Sequence, residues 1–424
     1  MPASSRTTWC ATHRMRKTMK RKLAAPLMAL TMVCLSACGL SNGSGSGDTT
    51  KIMVISDWDN PSFDYQQLPT IVENAAGPVN KAGGINGKKI EVVSCNSKND
   101  PNESMKCARK AVAEKVVSVV GGFNTLTGQI FPVLEAAKIP FVGGAVSLPV
   151  DYTSPMSFPI TSGAMLFVAS AVHALQNPAC KSIGFAANQQ SEPHWLPYVS
   201  KILDHAKVPI VSKAIYPPGT TDMAPYVTQL TANHPDCLIL SWTTADAVQM
   251  IPALDTLGVL GQWKGRIYTH EPAGTTAQLV KQFPKETNGL LSDSYFPPIS
   301  DPGWDEYKKV EHAAGNLGKY EDTLGDGSVE RTYLAFKVFE TVAKTIKGNI
   351  TNGSMFDALN KACKVDIGSV APVLNFCDKA ADPNISRTFN SSFVWYKVEN
   401  GEFTRAQPGF QDVMPAYRQA TGGS

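Results

Sequence analysis

The chain has 424 residues, 43% hydrophobic and 18% charged, enough apolar material for a full core in two or three domain-sized units and incompatible with disorder. Its formal charge of +3 comes from residues 1–37, where Arg6, Arg14, Arg16, Lys17, Lys20, Arg21 and Lys22 meet no acid; the remainder holds 32 basic against 36 acidic residues, a net −4. A nucleic-acid partner is thereby excluded, because phosphate binding needs basic charge concentrated on the folded part, and no apolar run reaches the roughly 18 residues that a multi-pass membrane protein requires.

The first element in chain order is an export signal. Basic residues up to Lys22 precede the mostly apolar Leu23–Leu35, and Leu35-Ser36-Ala37-Cys38 follows. The apolar run is too short for a stop-transfer helix and has the order of a cleaved signal. It resembles a bacterial lipoprotein signal, which implies removal of residues 1–37 and lipidation of Cys38 as the mature N-terminus. Met15 and Met19 are alternative starts. Residues 38–50 are rich in Gly and Ser and predict a flexible tether. Within them Gly39-Leu40-Ser41-Asn42-Gly43 matches a nucleophile-elbow pattern, but it lacks the strand before and the helix after that such an elbow needs.

Setting aside Cys10, Cys34 and Cys38 leaves Cys95, Cys107, Cys180, Cys237, Cys363 and Cys377. An even set in an exported chain predicts disulfides, although six cysteines allow fifteen pairings. The preferred set is Cys95–Cys107, Cys180–Cys237 and Cys363–Cys377: the first and third close short loops, and the second joins residues standing just before strands that are parallel neighbours if the sheet order is sequential. A metal site is not expected, since no C-x-x-C pair or nearby His accompanies these residues.

From Lys51 onward, β-branched runs alternate with helix-length periodic segments. Strands are expected at Lys51–Ser56, Lys89–Ser94, Val116–Val120, Ile139–Val142, Ser182–Ala186, Ile210–Tyr216, Cys237–Ser241, Arg266–Tyr268 and Gly289–Ser294. Helices are expected at Gln66–Lys81, Asn102–Glu114, Gly128–Ala137, Ala164–Leu175, Trp195–His205, Met223–Asn233 and Ala245–Leu257. This alternation predicts α/β architecture with two parallel sheets, each covered by helices on both faces. Proline-containing passages at Tyr152–Thr161 and Phe296–Pro302 mark crossings between two lobes. Helices at Trp304–Ala314, Ser328–Lys347 and Gly353–Ala362, an irregular Lys364–Arg387 and a strand at Phe393–Val398 before the Asn400-Gly401 turn complete the chain. The expected lobes are 51–158 with 297–385, and 159–296 with 386–424, hinged at the crossings.

Four segments, in this order and spacing, carry a resemblance: Asn80-Lys81-Ala82-Gly83-Gly84-Ile85-Asn86-Gly87, Val119-Val120-Gly121-Gly122-Phe123-Asn124-Thr125, Ile139 to Ser147, and Gly219-Thr220-Thr221-Asp222-Met223-Ala224-Pro225-Tyr226. Through them the chain resembles the type I periplasmic binding proteins of ABC transporters, specifically the branched-chain amino acid binding group. The resemblance implies two Rossmann-like lobes closing on a solute, no catalysis and no cofactor, with an ABC permease and its ATPase as partners and a lipid anchor holding the protein at the outer face of the membrane. The Cys95–Cys107 pair also looks like a feature of this group. A physical reading accompanies each segment: Gly83-Gly84 suits a helix end, Asn86-Gly87 a tight turn, and Asp222 a helix N-cap.

Thr125 falls where a strand ends and a helix begins, the edge at which α/β sheets place ligands; it or Thr127 can equally cap that helix. Ala145, Val146 and Ser147 occupy the equivalent place after the fourth strand, and the resemblance implies that this loop meets a ligand's α-amino group. Glu271, in Tyr268-Thr269-His270-Glu271-Pro272, matches by position the acid that pairs with a ligand ammonium. Trp58, Phe63, Tyr65, Trp195 and Trp242 are candidate aromatic walls, with Tyr65 and Trp242 preferred. Gln189-Gln190-Ser191-Glu192-Pro193 replaces the Tyr-Gly often found in the group, which changes the side-chain pocket.

An enzyme is disfavoured. Ser56-Asp57-Trp58-Asp59-Asn60 after the first strand lacks a dinucleotide-binding glycine pattern and would repel a pyrophosphate, and neither a Walker A nor an H-E-x-x-H motif occurs. A sensory ectodomain of the same fold is the third class. The expected ligand is an amino acid or similar small polar solute, with a small amide, urea or carboxylate as the alternative.

Overall fold

The structure, a computed structural model, describes residues 49–60, 64–163, 165–271 and 274–422; the expected signal, Cys38 and Phe63 lie outside the described residues. The first sheet contains β1 (Thr49–Ser56), β2 (Lys89–Asn96), β3 (Ser118–Val120), β4 (Phe141–Val142) and β5 (Ser157–Phe158), all parallel in the order β2-β1-β3-β4-β5. The second contains β6 (Ile183–Asn188), β7 (Ile210–Tyr216), β8 (Cys237–Ser241), β9 (Ile267–His270), β10 (Leu291–Ser294), β11 (Ser392–Glu399) and β12 (Glu402–Arg405), in the order β12-β11-β10-β9-β8-β6-β7, with β13 (Gln411–Asp412) beside β11.

Alternation along each strand explains why both faces carry helices. On β1, Ile52 and Val54 join a core with Ile71 and Val72 of the helix Leu68–Lys81, whereas Met53 and Ile55 join Cys107, Ala108 and Ala111 of the helix Pro101–Ala113. The second sheet divides likewise: Phe185 and Ile239 face one core, and Ala186, Leu238 and Leu240 the other. Strands buried on both sides read as continuous apolar runs, which made them visible in the sequence.

Three differences from the sequence expectation have local causes. The second sheet is mixed rather than parallel, because Asn400-Gly401 closes an antiparallel hairpin between β11 and β12 and β11 runs antiparallel to β10. The passage Tyr152–Thr161, expected to be irregular, contains β5, a two-residue strand too short for any periodicity. The helix expected at Gly128–Ala137 is a 3-10 turn, Thr127–Gln129, followed by a helix starting only at Phe131, next to Pro132, whose missing N–H suits a first turn.

The disulfides Cys95–Cys107, Cys180–Cys237 and Cys363–Cys377 are all present. The second forms because β7 turns to the sheet edge, leaving β6 directly beside β8, with Ile183 opposite Cys237. Three chain passages join the sheets, around residues 159–163, 295–304 and 386–391. They hold one another: Tyr295 Oη donates to Gly163 O at 3.1 Å, Asn390 Nδ2 to Ile160 O at 3.0 Å, and Tyr396 Oη to Phe296 O. Arg387 donates to Ser157 O, and its guanidinium lies 4.4 Å from the centre of the Phe158 ring.

Candidate functional site

The loops after β3 and β4 both begin with a Val-Gly-Gly step, and the structure requires glycine in each. Gly122 has φ +85°, and a Cβ there would stand 2.1 Å from Ile55 O; Gly143 has φ +67°, and a Cβ there would stand 2.4 Å from Ala335 Cβ. At Gly121, with φ +64°, a Cβ would stand 2.7 Å from Thr332 Cγ2, so the bare backbone of both loops packs against the helix Gly327–Ala343, and the carbonyls of Gly122 and Gly143 reach Arg331. Arg331 Nη2 donates to Gly122 O at 2.9 Å and Nε to Gly143 O at 3.3 Å.

Beyond these loops lies a cavity of ≈ 200 Å³ with walls from both sheets and from the crossings. The first sheet contributes Phe123, Ala145, Val146 and Ser147 at the ends of β3 and β4. The second contributes Ser191 and Trp195 after β6, Ser241, Trp242 and Thr243 after β8, and His270 at the end of β9. Thr161, Gly163 and Tyr295 come from the crossings, with Leu166 and Phe167 on the helix Met165–Gln176, and Ser328 and Arg331 close the remaining side. The site thus occupies the crevice at the carboxyl ends of the strands, where open α/β sheets bind ligands. The aromatic wall is packed in order: Trp195 stacks on Phe167 at 3.9 Å, Phe167 meets His270 edge-on at 5.0 Å, and Trp242 Nε1 donates to Thr275 Oγ1 at 3.0 Å.

Of the residues singled out from the sequence, the structure brings Ala145, Val146, Ser147 and Trp242 together on this cavity, with Trp195, and keeps Thr125, Tyr65, Trp58 and Glu271 off its wall. Thr125 precedes the 3-10 turn Thr127–Gln129; its Oγ1 donates to Asn99 Oδ1 at 2.9 Å. Tyr65 stands one layer back, its ring 4.6 Å from that of Phe123. Trp58 is bound to the β2 end by its N–H, 3.1 Å from Asn96 Oδ1. Glu271 comes one residue after the cavity-facing His270 and turns the other way, as successive residues of an extended chain do. Its Oε2 accepts from Ser294 Oγ at 2.9 Å and its Oε1 from Gly327 N–H at 3.4 Å, and it is buried. The acid expected to repel phosphate, Asp57, is tied into the scaffold by Ser97 Oγ at 2.6 Å and Asn99 N–H at 2.9 Å.

Phe123, Phe167, Tyr295, Ser328 and Arg331 were not expected in the site. The sequence did not set Arg331 apart, since its helix also carries Glu330, Lys337 and Glu340; only its place on the cavity wall distinguishes it.

The sequence profile described as "Periplasmic binding protein" matches residues 70–379. The chain belongs to that family. No curated protein matches the chain. Among solved structures, an ABC transporter substrate-binding protein from Sphaerobacter thermophilus superposes with a TM-score of 0.71 at 16% identity, over 86% of this chain and 99% of that one. A fatty acid ABC transporter substrate-binding protein from Thermomonospora curvata gives 0.70 at 15% identity, over 87% and 94%. The branched-chain amino acid transporter substrate-binding protein LivJ from Streptococcus pneumoniae, in complex with isoleucine, gives 0.68 at 17% identity, over 86% and 100%. The fold is that of the type I periplasmic binding proteins, and the family's members are binding proteins of transporters rather than enzymes.

The acids of this periplasmic binding protein that surround the site are shifted toward their neutral forms. Burial pushes Glu271 up to about 8, against the hydrogen bonds from Ser294 and Gly327 that favour its ionised form. Asp151 is pushed up to about 6 by burial, although its Oδ2 accepts the N–H groups of Ser147 and Leu148 at 2.8 and 2.7 Å. Glu311, remote from the cavity, is pushed up to about 7 for the same reason. Glu330 lies well above the carboxylate range. All four bind a proton more tightly when folded than unfolded, so stability is fully present below the unfolded carboxylate range and is lost as pH rises through the folded values. The urea midpoint is expected to fall between pH 5 and pH 8 and to level off above that, with Glu271→Gln making the slope shallower. A midpoint that rises across this range, or an unchanged slope in Glu271→Gln, contradicts the assignment.

Proposed function

We propose that the protein is the extracytoplasmic solute-binding component of an ABC importer, holding an amino acid or similar small solute between its two sheets and presenting the closed form to a membrane permease and its ATPase. The observation that carries this reading is the cavity itself, walled by the strand ends of both sheets and by the crossings, so that a bound solute touches everything whose relative position changes on closure. Ligand contacts made only when both halves are engaged favour the closed state by the free energy of those contacts. Residues 51–158 with 297–385 and 159–296 with 386–424 act as the two lobes, and the three crossings as the hinge. Ala145, Val146, Ser147, Trp195 and Trp242 contact the solute, while Thr125, Tyr65 and Glu271 hold the walls from behind. The ligands named for the structural neighbours, isoleucine for LivJ and a fatty acid for the Thermomonospora protein, share a carboxylate joined to an apolar body.

Export and anchoring complete the proposal. Residues 1–37 direct export, Cys38 is lipidated, and the stretch from Cys38 to the start of β1, which takes in Thr49 and Thr50 of the expected tether, gives the folded body reach from the membrane surface. Among the described residues no helix is long and apolar enough to cross a membrane. Cys38→Ser is expected to shift the expressed protein from the membrane fraction to the soluble extracytoplasmic fraction and to abolish incorporation of labelled palmitate; unchanged membrane association contradicts anchoring at this residue.

Trp195 and Trp242 make the cavity its own reporter. In a screen of amino acids, amides and small carboxylates, a solute that binds is expected to change tryptophan fluorescence and to raise the melting temperature, with about 2.7 kcal/mol of added stability at roughly 100-fold over its dissociation constant. Loss of the fluorescence change in Trp195→Phe with Trp242→Phe, but retention of the thermal shift, places the solute beside these rings. A thermal shift unaffected by replacing Ser147 and Trp195 together with alanine contradicts this location.

A further inference from the structure

We propose that the cavity takes a monocarboxylate with a compact apolar or aromatic body and no ammonium group, and that Arg331 binds the carboxylate. This rests on the reading of the cavity as the solute site and narrows the class of solute. Arg331 stands near the start of the helix Gly327–Ala343, is 4% exposed and borders the cavity. Its Nε and Nη2 are held by the carbonyls of Gly143 and Gly122 at 3.3 and 2.9 Å, neutral acceptors that orient the guanidinium without cancelling its charge. Among the described residues its Nη1 makes no hydrogen bond and the guanidinium forms no ion pair with a carboxylate. The nearby Asp326 acts only at longer range, its Oδ1 accepting the Ser328 N–H at 2.7 Å.

Burying a cation is costly unless an anion and hydrogen bonds compensate it. A ligand carboxylate on Nη1 supplies both through charge-assisted hydrogen bonds, and the planar fork of arginine suits that geometry. Phe123, Leu166, Phe167, Trp195 and Trp242 leave apolar surface for the remainder of the molecule. The ≈ 200 Å³ of space limits that remainder to a single ring or a short branched chain, since drug-sized ligands occupy roughly 300–1,000 Å³. An ammonium finds no matching partner on this wall. Glu271 turns both oxygens to Ser294 and Gly327, and a cation placed in the cavity would meet Arg331 instead.

The test is calorimetric titration of the full mature chain with phenylacetate and 4-methylpentanoate, with their isosteric amides phenylacetamide and 4-methylpentanamide, and with L-phenylalanine and L-leucine. The acids are expected to bind at least about 10-fold more tightly than the matched amides and amino acids, and Arg331→Met is expected to weaken the acids by about 100-fold while bringing acid and amide to equal affinity. Arg331→Lys, which keeps the charge without the fork, should fall between. Because Arg331 also ties two loops, folding of each variant is checked by circular dichroism, and the acid-to-amide ratio of the unaltered protein stands as evidence independent of any variant. Equal affinity for acid and amide in the unaltered protein, tighter binding of the amino acids, or acid binding indifferent to Arg331→Met overturns the inference while leaving a solute-binding cavity in place. Absence of binding by all six compounds overturns the inference; absence of any thermal shift across the wider solute screen overturns the reading on which it rests.

Discussion

One buried cation organises the cavity end of this molecule. Arg331 lies where the helix Gly327–Ala343 meets the loops leaving β3 and β4, and its two hydrogen bonds go to the carbonyls of Gly122 and Gly143. Both loops can come so close to it only because glycine occupies the positive-φ positions there; a side chain at Gly121 would collide with Thr332 and one at Gly143 with Ala335. The repeated Val-Gly-Gly step, the packing of the helix against the sheet and the placement of the guanidinium on the cavity are thus one constraint seen from three sides. Removing the side chain would leave two carbonyls without their donor, and retaining it leaves a positive charge on a wall of aromatic rings, aliphatic groups and small hydroxyl side chains.

The chain's repeated passage between the sheets converts that local site into a two-sided one. Because 295–304 returns the chain to the first sheet, the helix carrying Arg331 belongs to the N-terminal half although it follows β10 in sequence; 386–391 then brings β11 to the second sheet. The three passages are linked by Tyr295, Asn390 and Tyr396 rather than by apolar packing alone. On the proposed reading, these few directional bonds mark the joint about which the two halves turn when a solute is enclosed.

Much of the architecture was legible in the sequence because double-sided burial writes itself as uninterrupted apolar runs; β7 and β8 lie where the alternation placed them. What escaped was short or tertiary. β5 has two residues and no period, and β12 exists only through its pairing with β11. The loops after β4 and β8 announced themselves through position at a strand end, so Ser147 and Trp242 were placed on the cavity. Glu271, expected on the cavity, bonds Ser294 and Gly327, while its neighbour His270 borders the cavity; position at a strand end does not by itself separate the two. Arg331 lies far along the chain from the loops it joins, and only the return of the chain to the first sheet brings them together.

The most direct measurement is a crystal structure of the mature protein grown with phenylacetate. The account predicts the ring between Trp195 and Trp242 and a carboxylate oxygen within about 3 Å of Arg331 Nη1. A carboxylate held elsewhere in the cavity, or a cavity empty while phenylacetate occupies a site outside it, would contradict the account.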